Sequence, residues 1–191
     1  MKTKLSVIAM SVLFAFSACQ KQDDEMAFHE PADDVKSAHN ELKSAAANRQ
    51  VPLNFRAHLT GDQEVPPVET RATGQAVFQL SRDGESLSYR LIVANIENVR
   101  MAHIHLGPAG TNGPVVVWLY PSAPPPLPIP GRTNGVLATG VITKDNLVGQ
   151  LVDKELSALV ELMKDGETYV NVHTDQYPPG EIRGQIFGNV R

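Results

Sequence analysis

One cysteine, Cys19, supplies all the thiol chemistry of this 191-residue chain. That excludes an intramolecular disulfide and a cysteine-rich metal cluster. Aromatic residues are scarce at 6%, with a single tryptophan. Basic charge is scarce too. The 17 Lys and Arg stand against 21 Asp and Glu, a net charge of −4, which argues against a nucleic-acid partner. No segment reaches the length of a membrane-spanning helix. The G-x-S-x-G elbow, the phosphate loop and the Rossmann glycine pattern are all missing, so the common hydrolase and nucleotide-binding chemistries have no footing.

What is present begins with a targeting segment. Lys2 and Lys4 precede LSVIAMSVLFAF, an apolar run of 12 residues, and small residues lead into Cys19. Residues 1–18 read as a secretory signal. The cysteine at the cleavage point resembles the lipobox of bacterial lipoproteins, with Phe16 where that pattern favours leucine. The resemblance implies that Cys19 carries acyl chains such as palmitate and anchors the chain to a membrane. It also implies a bacterial cell-envelope location in the outer membrane, and the acidic residues after Cys19 read either as a surface-export signal, which would expose the chain at the surface, or as a solvated linker. Removing Lys2 and Lys4 from the 17 basic residues leaves 15 against 21 acidic ones.

Residues 19–50 form an acidic tether followed by a helix. In DVKSAHNELKSAAANR, Val35, Ala38, Leu42 and Ala45 share one helical face and Asp34 can cap it. From Val51 the period changes to two. Leu53, Phe55, Ala57 and Leu59 alternate with polar residues, and so do Ala76, Phe78 and Leu80. The segments LSYRLIVA, VRMAHIHL, PVVVWLY, GVLATGVIT, TYVNVHT and EIRGQIF continue the pattern. With 14 Gly and 14 Pro marking the turns, residues 51–191 read as one all-β domain. The expected architecture is a Greek-key, immunoglobulin-like sandwich or barrel of about eight strands. PSAPPPLPIPGRTNG (121–135) reads as an extended surface loop, because proline cannot serve a central ladder. DKELSALVELMKDG (153–166) reads as a short inserted helix, capped by Asp153, burying Leu156, Leu159, Val160 and Met163, and ended by Gly166.

Alternation then sorts the side chains. Ala102, Ile104 and Leu106 face the core, which puts His103 and His105 outside. Val170 and Val172 face in, with Tyr169, Asn171 and His173 out. Ile182 and Ile186 face in, with Glu181, Arg183 and Gln185 out. A hairpin at DQYPPG, centred near Tyr177, sets His173 opposite Glu181, Asn171 opposite Arg183 and Tyr169 opposite Gln185. Two histidines at i and i+2 on one strand have Cβ atoms about 7 Å apart, which lets both reach one ion. Imidazole suits copper and zinc. An H-x-H pair also arises when polar residues simply fill a wet face, so both readings stand at this level.

Three blocks carry a family resemblance: GDQEVPPVETRATG, AHIHLGPAGTNGPVVVWL and YVNVHTDQYPPGEIRGQI. Together they resemble the CHRD domain, the chordin-type domain of many bacterial secreted proteins. The resemblance implies an immunoglobulin-like barrel distantly similar to Cu/Zn superoxide dismutase, and no general activity. In the dismutases an H-x-H strand and a late-strand histidine hold copper. That pattern falls on His103, His105 and His173, with Asn171, Glu181 and Arg183 standing around them. The zinc-binding histidine cluster and the disulfide of the dismutases have no counterpart here, and His58 is the only other histidine of the β region, so a complete dismutase is excluded. Two functions follow. One is a lipid-anchored binding module without catalytic activity, engaging a cell-surface protein or polymer. The other is a mononuclear copper- or zinc-binding protein, with redox-related chemistry as an extension.

Overall fold

The computed structural model describes residues 53–188. The signal segment, Cys19, the acidic tether and the helix expected over residues 34–49 lie outside the described residues.

Period-two patterning yields eight strands: β1 (Asn54–Thr60), β2 (Thr73–Leu80), β3 (Leu87–Leu106), β4 (Val115–Tyr120), β5 (Ile129–Ile142), β6 (Thr168–Thr174), β7 (Ile182–Gln185) and β8 (Phe187–Gly188). One α-helix, α1 (Leu156–Lys164), interrupts them. All pairings are antiparallel. Neighbours run β2-β1-β7-β6-β3-β4, β5 adds to β3, and a β2–β3 pairing closes the path. This is the expected all-β barrel.

The strand count agrees with the sequence, but its composition differs. LSYRLIVA and VRMAHIHL are one 20-residue strand, β3. Its buried apolar residues change phase along the way, from Leu87, Leu91 and Val93 to Ile96, then Val99, then Ala102 and Ile104. Each change coincides with a register shift in the β3–β5 or β3–β6 pairing. Asn95 and Asn98 adopt left-handed backbone, at φ 55° and 50°. Those bulges break the alternation in the sequence, which is why one strand reads there as two. Its first half pairs with β2 and β5, its second half mainly with β6 and β4.

Two further expectations are corrected. The Pro-rich segment is a loop only to Pro128, since Ile129–Gly135 belongs to β5. β5 pairs with β3 alone, so Pro130 lies on an edge strand where its missing N–H is tolerated. Helix α1 buries Leu156, Leu159, Val160 and Met163 as its periodicity requires, but Glu155 occupies the cap position and makes no side-chain cap bond. Asp153, two residues earlier at φ 62°, is part of the approach turn and caps nothing.

A candidate metal centre

The hairpin register is as the sequence implied. Tyr169 pairs with Gln185 and Asn171 with Arg183 across β6 and β7. β3 lies on the other side of β6, with His103 opposite Asn171 and His105 opposite Tyr169. One polar sheet face therefore carries His103, His105, Asn171, His173, Arg183 and Gln185 side by side. It faces away from the core, as alternation demands, yet it is not wet. His103, His105 and His173 are 2%, 8% and 5% exposed, and Arg183 is 1% exposed. The expectation of a solvated outer face is overturned.

Two loops cover it. Between β1 and β2, the Glu64 carboxylate accepts from Asn171 Nδ2 at 3.1 and 3.2 Å, and Thr70 donates to Glu181 at 2.7 Å. In the β3–β4 turn, the carbonyls of Pro108 and Thr111 accept from Arg183, as does the Asn112 amide oxygen. Asn112 Nδ2 donates to the Val65 carbonyl and joins the loops to each other. Gln185 donates to the carbonyls of Gly107 and Gly166. Asn171, Glu181, Arg183 and Gln185 each hold a covering segment that buries its neighbours, which offsets part of the cost of removing them from water.

Beneath the loops the three imidazoles converge. One ligand atom from each of His103, His105 and His173 lies within 4.8 Å of the others. His105 Nδ1 is 2.9 Å from the Gly113 carbonyl, and His173 Nδ1 is 2.9 Å from that of Pro178. A carbonyl only accepts, so both Nδ1 atoms carry protons, and in the neutral rings both Nε2 atoms are bare lone pairs. His103 Nδ1 lies 3.1 Å from His173 Nε2 and is therefore the donor in that pair, which leaves His103 Nε2 a lone pair as well. His103 Nε2 and His105 Nε2 are buried and have no hydrogen-bond partner among the described residues.

The electrostatics keep the rings neutral. Burial pushes the His103 pKa down to about 3, helped by His173 and His105. Burial pushes His105 down to about 4, against the Gly113 carbonyl, which favours the charged form. His173 is lowered by burial too, with the Pro178 carbonyl opposing. Glu64 moves the other way. Burial raises it to about 7, and the Arg183 charge and the Asn171 hydrogen bond only partly counter this.

Aromatic packing fixes the ring planes. Tyr169 stacks on His105 with centroids 4.9 Å apart and 11° between planes, and the Arg183 guanidinium covers the Tyr169 ring at 3.4 Å. Trp118 meets His103 edge-on at 4.3 Å. The Gly113 N–H donates to the Tyr169 hydroxyl. A Cβ at Gly113 would lie 1.5 Å from the Leu106 carbonyl oxygen, so only glycine lets this loop close on His105.

The sequence-predicted residues thus divide. His103, His105 and His173 are brought together. Arg183 reaches them only through Tyr169, Asn171 turns to Glu64, and Glu181 accepts from Thr70 and Thr174. Glu64, Trp118 and Gly113 were missed. Glu64 lies in GDQEVPPV, where a glutamate before two prolines carries no sign of burial.

Fold and site together define an antiparallel β-barrel domain with a buried tri-histidine cluster on the outside of its sheet. The family model of the CHRD domain matches residues 55–186, and the chain belongs to that family. No curated protein and no solved structure matches the chain.

Proposed function

We propose that this CHRD domain is a metal-binding module that takes one copper(II) or zinc ion on His103, His105 and His173. The observation that carries the reading is the convergence of three neutral imidazoles with two orphaned, buried Nε2 atoms. A buried lone pair without a partner costs about 1–3 kcal/mol, and a cation repays it in the way a surface histidine would not need. The carbonyls of Gly113 and Pro178 orient two of the rings, as groups behind metal ligands do. The distant likeness to the copper strands of dismutases points the same way. A bound ion would supply Lewis acidity. The reading is one of binding, and no catalytic step is assigned to the site. Lipidated Cys19 would hold the module at the bacterial cell envelope, on the outer membrane and facing the surroundings, where it meets a cell-surface protein or polymer.

Elemental analysis of untagged protein, followed by titration with copper(II) and zinc, tests the assignment. One ion per chain is expected, with binding lost in His105→Ala and kept in His58→Ala, whose imidazole is exposed. No uptake by the parent protein, or equal uptake by both variants, would remove the metal reading.

A further inference from the structure

The barrel carries a second surface that the histidines do not explain. β1, β2, β3 and β5 lie side by side, and their registers put Arg56, Val77, Arg90 and Thr139 in one row across the outer face. Asn54, Gln79, Ser88 and Val141 form the next row, and Gln75 lies opposite His58. A groove of about 840 Å³ runs over these rows. It continues toward Arg82 at one end and His58 at the other.

The charge of this groove is one-sided. The chain as a whole is acidic, at −4, yet among the described residues no carboxylate lines the groove or these two extensions. Arg56, Arg82 and Arg90 take part in none of the ion pairs found among the described residues, which engage Arg100, Arg132, Lys144 and Lys164. The nearby Asp83 is turned onto the Ser81 hydroxyl and the Glu85 N–H in the hairpin turn. Arg56 and Arg90 stand two strands apart, about 10 Å at the backbone.

Four features select the chemistry of a partner. The cations are all arginine, and guanidinium forks match planar carboxylates in a bidentate way that lysine does not. Between and beside them stand amides and hydroxyls, Gln75, Gln79, Asn54, Ser88 and Thr139, which suit a partner rich in hydroxyl groups. Phe55, Phe78 and Tyr89 are buried, and a single exposed phenyl ring, Phe187 opposite Arg56, borders the His58 end among the described residues, too little for a run of stacked nucleobases. The strands are paired with one another across this face, so a peptide laid on it would find few main-chain partners.

We propose that this groove binds an acidic polysaccharide, a polymer of sugars bearing carboxylates, with Arg56 and Arg90 each engaging one carboxylate. The site is separate from the tri-histidine cluster and does not depend on metal.

Affinity electrophoresis of the full chain in detergent, through gels containing polygalacturonate, tests this, with dextran as the neutral control. Retardation by polygalacturonate and none by dextran is expected. In the Arg56→Ala/Arg90→Ala variant the affinity falls by at least about tenfold, as expected when two charge-assisted forks are removed. Arg132→Ala, which removes an exposed arginine already paired with Glu97, leaves it unchanged. His105→Ala also leaves it unchanged, so failure of the metal reading and failure of this one are distinguishable. Melting curves of the double variant confirm that it is folded, since both arginines are exposed. No retardation of the parent, or equal retardation of parent and double variant, overturns the proposal. Poly-L-glutamate binding to the groove as tightly as polygalacturonate overturns it in favour of an acidic polypeptide.

Discussion

Acid should loosen this domain through its histidines, and one carboxylate should hide part of the effect. In metal-free protein, His103 and His105 stay neutral down to about pH 3 and 4 when folded, but titrate near 6.5 once unfolded. Depressed folded values mean that the unfolded chain binds more protons between those limits. Stability is therefore complete above about pH 6.5 and is lost as the pH falls. Each group contributes a slope of about 1.4 kcal/mol per pH unit. Glu64 has the opposite sign. Its folded pKa is raised to about 7 from 4.5, so between those values the folded state holds the extra proton and gains stability as the pH falls. Two groups against one leave a net loss of about 1.4 kcal/mol per pH unit between pH 6 and 5, with His173 adding in the same direction. Glu64→Gln removes the opposing group, and the slope should rise to about 2.7 kcal/mol per pH unit. Urea melts of EDTA-treated parent and variant, from pH 7 to 5, read both slopes. A flat profile, or the same slope in both proteins, would refute the picture of neutral buried imidazoles beside a protonated Glu64.

The remaining predictions concern packing and anchoring. Ile182 and Val172 are fully buried, and truncating either to alanine should cost about 2–4 kcal/mol in denaturant melts. Gln185→Ala, from the same strand as Ile182, would be harmless on a wet surface. Buried and bonded to two carbonyls, it should instead cost about 1–3 kcal/mol, and a loss under about 0.5 would mean those bonds do not form. Cys19→Ser should move the chain out of the membrane fraction or block its processing, and unchanged fractionation would rule out a lipid anchor.

Alternation carried most of the fold. It placed Ile104, Val172 and Ile182 in the core, and the DQYPPG hairpin set the β6–β7 register to the residue. The convergence of His173 with His103 and His105 was legible only through the family resemblance, because no local rule spans the 70 residues between His103 and His173. Exposure was misread for a physical reason. Period two says which face a side chain takes, but not whether a distant loop lies over that face. The covering loops are fixed by Glu64, Thr70 and Asn112, polar residues whose partners are far along the chain. The junction inside β3 was misread for the converse reason. Asn95 and Asn98 carry the turn signals of a loop, and the structure uses them as bulges within a continuous strand.

β3 also governs how the molecule can come apart. Its first half is laced to β2 and β5 and its second half to β4 and β6, so a single backbone runs through both ends of the barrel. Neither end has a seam of its own along which to open. Arg90 and His103 lie on the same strand, and any fluctuation large enough to free one must strip ladder bonds that also steady the other. Amides along this strand should then exchange with solvent only through global opening, while the hairpin turns and the proline loop exchange freely. Two surfaces of unlike chemistry thus share one unfolding transition, and a lesion at either is felt by the whole domain.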